Sequence, residues 1–256
     1  MSSSECLHLG KDGKMLKLYE KKEILFAVLW IMLYCFVSIP IRGNFGDESV
    51  WMLLELFLIA VGITVFVKKH HLEEKYGLDR WPKDNKRFLF FIPMWILVTG
   101  NLWGGFGMAY SGMAQVFAVL SMLLIGYIEE VIFRMLLFKR LCVYVTAIAA
   151  GVGSAVIFGI YHGNAVQFIY AFLFGLVLSF VFWRFDALFP PVLIHSAANI
   201  YVYVTYFFPL PEFFRQFAGK VILILFSGLV SVSILMYFLN TAPEKSLMPE
   251  KPFFPK

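Results

Sequence analysis

The sequence predicts an all-α fold, a polytopic membrane helix bundle with eight transmembrane helices and both termini cytoplasmic. Three observations predict it. The chain of 256 residues is 60% hydrophobic and 15% charged, whereas an ordinary soluble domain carries about 25% charged residues. Its mean hydropathy is +0.77, and the apolar residues fall in long runs, the membrane signature. The basic residues sit between those runs and favour every second connection, as topology determinants do.

The runs are Ile24–Ile41, Val50–Val67, Phe88–Trp103, Met113–Phe138, Leu141–Tyr161, Val166–Trp183, Ala187–Phe208 and Val221–Leu239. Each is near the ~20 residues that cross a ~30 Å hydrocarbon core. Unpaired backbone groups are not tolerated in lipid, so the runs are expected to be helices. Phe88–Trp103 is the shortest and contains Pro93. The first 23 residues are polar and hold five lysines. The run behind them lacks a small-residue cleavage site and reads as a retained first span rather than a signal peptide.

With the N-terminus cytoplasmic, 18 Lys and Arg fall on the cytoplasmic side. Only Arg42, Arg215 and Lys220 fall opposite, and Arg134 lies within a span. One missed helix would scramble this alternation, so the split supports both the eight spans and the N-in, C-in orientation. The predicted division is a cytoplasmic tail at residues 1–23, a transmembrane domain at 24–240, and a disordered cytoplasmic tail at 241–256 with Pro243, Pro249, Pro252 and Pro255. The 68–87 loop mixes both charge signs and reads as solvated.

Several classes are excluded. The net charge of +5 is distributed between spans, without a basic-aromatic motif, so nucleic acid is not an expected partner; the lipid bilayer is. Cys6, Cys35 and Cys142 have no metal spacing and are odd in number, so they read as free thiols. No internal repeat is visible.

Ionisable residues inside spans are costly and are functional candidates by default. Here they are Glu55, Glu129, Glu130, Arg134, His195 and, at the end of its span, His162; Asn199 adds an amide. Glu130 and Arg134 stand at i,i+4 with the acid first, the favoured order for an ion pair, and read as a structural pair. Glu129 points about 100° away and has Phe133, not a cation, one turn along. Two readings stay open for it, a general base or a hydrogen-bonded structural carboxyl. Phe158 and His162 read equally as packing and interface. His195 and Asn199 share a helix face across small residues that let a partner helix approach. They can form an interhelical hydrogen-bonded pair or donate to an oxyanion. Glu55 is assigned no role.

In order, the chain carries Glu129-Glu130-xxx-Arg134, Phe158-xxx-His162 and His195-xxx-Asn199 on distinct spans. This combination resembles the CPBP (CAAX protease and bacteriocin-processing, or Abi) family of intramembrane proteases. The resemblance covers about Gly126 to Asn199, supported by Phe174-Gly175 and by the stretch from Trp183 to Pro191. It departs from the family at Met135 and Ser179, two packing positions where glycine is common. It implies a protease core at about 113–208 and an endopeptidase cleaving a peptide or membrane-protein substrate at the membrane. Glu129 would be the catalytic base and His162 would help hold the water. His195 and Asn199 would form the oxyanion site, with Glu130 and Arg134 supporting it. No cofactor is required. The rival is zinc held by Glu129, His162 and His195, although HExxH is absent. A multi-pass protein of a bacterial plasma membrane is implied. Outside this reading stand an ion- or proton-coupled transporter, against which the lack of repeats speaks, and a catalytically silent immunity or binding protein of the same fold.

Depth tests the constellation. Glu129 lies ten residues before Lys139, ~15 Å at the helical rise, and His195 nine residues after Asp186, ~13 Å. These match. His162 lies 22 residues after Arg140, ~33 Å in a straight helix. The mismatch predicts that the fifth helix starts later, near Thr146, or is strongly tilted.

Overall fold

The computed structural model describes residues 13–70, 72, 78, 112–163, 165–207 and 211–216, and scattered positions between 218 and 233. These residues are helices joined by short turns, with no strand among them. The expected span Phe88–Trp103, most of the 68–87 loop, most of Val221–Leu239 and the C-terminal tail lie outside them.

Six helices carry the fold: α1 (Gly13–Phe45), α2 (Val50–Lys69), α3 (Met113–Glu130), α4 (Ala147–Tyr161), α5 (Ala165–Phe185) and α6 (Phe189–Phe207). A helical turn at Glu212–Arg215 follows. Four stretches are long and apolar enough to cross a membrane, Ile24–Phe45, Val50–Lys69, Met113–Leu141 and Gln167–Phe185. The chain is therefore a multi-pass membrane protein. Apolar side chains face outward as well as into the core, and ionisable ones are buried. Phe36 and Ile39 on α1 and Leu58 and Val65 on α2 are exposed, whereas Glu129, Glu130, Arg134 and His195 are buried. Apolar surface of that extent requires a cover, and lipid supplies it.

Two element boundaries bear on the expectations. The polar segment expected as a tail is helical from Gly13, so α1 runs 33 residues, ~50 Å at the helical rise, and overshoots the hydrocarbon core. The fifth helix starts later than Leu141, near Thr146, as the depth mismatch predicts. Residues 142–146 form a turn, and α4 starts at Ala147 with the Thr146 side chain accepting the Ala149 N–H. A hydroxyl at the N-cap satisfies one of the helix's orphan donors, and apolarity alone cannot locate such a start.

The α1–α2 connection is tight. Gly46 has φ +80°, a left-handed conformation that suits glycine. Ser49 then caps α2 by accepting the Met52 N–H. Arg42 pairs with Asp47 across the turn.

The stretch Met113–Leu141 is the centre of the bundle. Of its apolar window 61% is buried, against 39% for Val50–Lys69 and 17% for Ile24–Phe45. α6 and α2 pack against α3, and α4 packs along α5. Beyond Glu130 the helix widens into a π-helical segment, Val131–Phe138, all eight residues of which are buried. The Lys139 N–H bonds back to the Arg134 carbonyl, five residues away rather than four. Ser154 on α4 donates to the Phe133 carbonyl at 2.8 Å and ties the widened turn to its neighbour.

Candidate active site

The site is built where α3 and α6 cross. Gly126 makes the crossing close: a Cβ placed there would lie 3.0 Å from the Ser196 backbone nitrogen and 3.1 Å from its Cα. Small residues are what let membrane helices approach to that degree. Ser196 adds a hydrogen bond from its hydroxyl to the Leu123 carbonyl, 3.3 Å. The residues next along each helix, Glu129 and Glu130 on α3 and His195 on α6, are thereby brought face to face.

His195 lies between the two carboxylates. Its Nδ1 is 2.7 Å from Glu130 Oε1 and its Nε2 is 3.6 Å from Glu129 Oε2. The first is a strong hydrogen bond; the second is just beyond hydrogen-bond distance. Glu130 is shared: Arg134 Nη1 stands 3.0 Å from the same Oε1, an ion pair whose direction falls outside hydrogen-bond geometry. Arg134 Nη2 donates to the Gly175 carbonyl at 3.3 Å, and its guanidinium lies 4.5 Å over the Phe158 ring. Gly175 permits this approach, since a Cβ there would meet Ala155 Cα at 3.1 Å and Arg134 Nη2 at 3.3 Å. Arg134 is fully buried, so an ion pair, a carbonyl and an aromatic face stand in for its hydration.

The depth comparison rests on Lys139 and Asp186, and the structure pairs those two residues in a salt bridge. Asp186 ends α5 with φ 44°, a left-handed helix stop. Counting inward from a joined pair, Glu129 and His195 must arrive at the same level.

The other expected residues are placed less directly. The later start of α4 brings His162 to ~24 Å along a straight helix instead of ~33 Å. Phe158, one turn earlier, is the residue of α4 that reaches the centre: its ring meets His195 edge-on at 5.8 Å and His162 at 4.8 Å. His162 Nδ1 bonds the Phe158 carbonyl at 2.8 Å, which leaves Nε2 as its free nitrogen. His162 makes no hydrogen bond to Glu129 or His195. Asn199 is half-buried one turn beyond His195, and its amide has no hydrogen-bond partner among the described residues. Phe174 stacks edge-on against His195 at 5.3 Å.

One residue of the site escapes sequence reasoning. Tyr34 on α1 is 1% exposed, and its hydroxyl points at Glu129 Oε1, 3.5 Å away. In an apolar run a tyrosine reads as an interfacial anchor, and no spacing rule distinguishes a buried one. Glu55, left without a role, accepts a hydrogen bond from Ser38 at 2.6 Å.

A bound zinc would need converging ligands. Among the described residues no three His, Cys, Asp or Glu side chains form such a group. His195 bonds Glu130 through Nδ1, which leaves Nε2 as the nitrogen it could offer to a metal.

Residues 111–201 match the family described as Rce1-like, type II CAAX prenyl endopeptidase Rce1-like. This segment resembles that family. It is little more than a third of the chain, yet the Rce1-like segment holds Glu129, Glu130, Arg134, His162, His195 and Asn199, and both halves of the α3–α6 crossing. Tyr34 and Glu55 lie outside it. No curated protein and no solved structure matches the chain.

Proposed function

We propose that the protein is an intramembrane endopeptidase that hydrolyses a peptide bond with Glu129 as general base. The observation that carries this reading is the pairing of Glu129 Oε2 with His195 Nε2 across 3.6 Å, inside the Rce1-like segment. Hydrolysis needs a base, a positioned water and donors where negative charge develops. Glu129 takes a proton from water as the oxygen attacks the substrate carbonyl, and returns it to the departing amine. His195 and Asn199 face the carbonyl oxygen, and the free Nε2 of His162 helps hold the water.

Glu130 acts through His195. Anchored by Arg134, it accepts the Nδ1–H and fixes the ring. With Nδ1 committed in this way, Nε2 donates to an oxyanion only when the imidazole carries both protons. The reading assigns the chemistry to two carboxylates, a guanidinium and an imidazole, with zinc as the rival that chelation tests. The full architecture that goes with this reading has eight spans and an N-in, C-in orientation. It sets the site nearer the cytoplasmic face, where Lys139, Arg140 and Arg184 lie. Peptide or membrane-protein substrates then approach from that side.

The test is Glu129→Gln in cells, with the termini of membrane proteins compared against wild type. Loss of one or more cleaved termini is expected. Identical termini in the two strains would overturn the endopeptidase reading.

A further inference from the structure

We propose that Tyr34 is a positioning residue for Glu129: its hydroxyl holds Oε1, so that Oε2 is the oxygen presented to His195 and to the reacting water. The inference rests on the reading of Glu129 as the base. It extends the site to α1, which lies outside the Rce1-like segment.

Three observations carry it. The first is the contact itself, a buried tyrosine hydroxyl 3.5 Å from Oε1, made between residues 95 apart in the chain. Glu129 Oε1 has no other hydrogen-bond donor among the described residues. The second is that the two carboxylate oxygens are divided between two elements, Oε1 facing α1 and Oε2 facing α6 at 3.6 Å. A carboxylate held at one oxygen cannot rotate freely, so the other oxygen keeps a fixed direction. A base needs that constraint, because small misplacements of a reacting group are costly in rate. The third is that Tyr34 is itself braced. Its ring stacks on Tyr161 with centroids 5.8 Å apart and planes 18° from parallel. Tyr161 in turn meets His162 at 5.2 Å and Phe133 at 5.6 Å. The hydroxyl's position is thus set by packing against α4 and the π segment.

Tyr34→Phe keeps the ring and the stack and removes only the hydroxyl. In the full-length protein, the infrared band of the Glu129 carboxyl is isolated by subtracting the spectrum of Glu129→Gln, with and without Tyr34→Phe. In cells, the rate of appearance of any terminus that separates wild type from Glu129→Gln is followed after induction of Tyr34→Phe. The expected result is a shifted Glu129 band and a rate lowered about three- to tenfold, less than a full charged hydrogen bond because the oxygens stand 3.5 Å apart. The thermal midpoint is expected to stay near wild type. An unmoved band or an unchanged rate would overturn the inference. If no terminus separates wild type from Glu129→Gln, the endopeptidase reading fails, and the band alone decides whether Tyr34 holds Glu129.

Discussion

Gly126→Ala is the substitution by which the α3–α6 crossing can be tested most sharply. The added Cβ would sit 3.0 Å from the Ser196 nitrogen and 3.1 Å from Ser196 Cα. Nonbonded heavy atoms prefer about 3.5–4.0 Å, so α6 must retreat by about half an ångström or more against α3. The nearest atom is the Ser196 hydroxyl oxygen, which a rotation can move, but the backbone nitrogen and Cα behind it cannot rotate away. Stability changes little. Removing a helical glycine favours the helix by about 1 kcal/mol, while overpacking costs about 1–3 kcal/mol, for a net loss of about 0–2 kcal/mol. Function changes more. His195 precedes Ser196 and travels with it, lengthening its 2.7 Å bond to Glu130 and its 3.6 Å approach to Glu129. A displacement approaching 1 Å is worth up to a hundredfold in rate. The assay pairs thermal unfolding of the detergent-solubilised protein with the rate of formation of the termini lost in Glu129→Gln. Ser196→Gly in the same chain should not rescue, because the Ser196 nitrogen and Cα remain. A Gly126→Ala protein with wild-type cleavage, or one rescued by Ser196→Gly, would refute the argument that backbone proximity sets the site.

Other expectations follow from the same geometry. Glu130→Gln leaves the buried Arg134 without its counter-charge; breaking such a pair costs about 3–5 kcal/mol, so the monodisperse yield in detergent should fall well below that of Glu129→Gln. Chelators should leave cleavage unchanged, and loss on chelation with recovery on added zinc would replace the carboxylate mechanism by a metal one. The Cys142 thiol, in the turn that precedes α4, is pushed up to about 11 by burial, against the opposing pull of Lys139. The thiolate is the reactive form, so with Cys6 and Cys35 replaced by serine, maleimide labelling should be at least a hundredfold slower at pH 7.5 than for an ordinary cysteine of pKa ~8.5, and should rise steadily up to about pH 11. Rapid labelling at neutral pH would contradict that burial.

The parts of the fold that follow from periodicity and hydropathy were legible in the sequence. The expected runs Ile24–Ile41, Val50–Val67, Met113–Phe138 and Val166–Trp183 each coincide, within a few residues, with an apolar stretch able to cross a membrane. The Glu130–Arg134 pair follows from i,i+4 spacing alone. The meeting of Glu129 with His195 was legible in a subtler way, through equal distances from Lys139 and Asp186. What stayed hidden depends on tertiary approach. That His195 binds Glu130 as well as facing Glu129 is decided at Gly126 and Ser196, 70 residues apart in sequence, and neither residue signals a crossing by itself. Tyr34 is one aromatic in an apolar run until α1 is docked. The π-helical turn leaves no mark in an all-apolar stretch such as Val131–Phe138, where every register is equally hydrophobic.

That turn has a consequence for how the chain tolerates length changes. An α-helix rotates each successive residue by about 100°, and a widened turn holds one residue more than the regular helix needs. Deleting one residue between Val131 and Phe138 can therefore be absorbed by tightening to regular α geometry, with Glu129 and Glu130 undisturbed upstream. Inserting one has no such outlet and swings Lys139 about 100° away from Asp186. The helix thus works as an asymmetric ratchet, forgiving in one direction, and the Lys139–Asp186 bridge is the pawl that registers the slip.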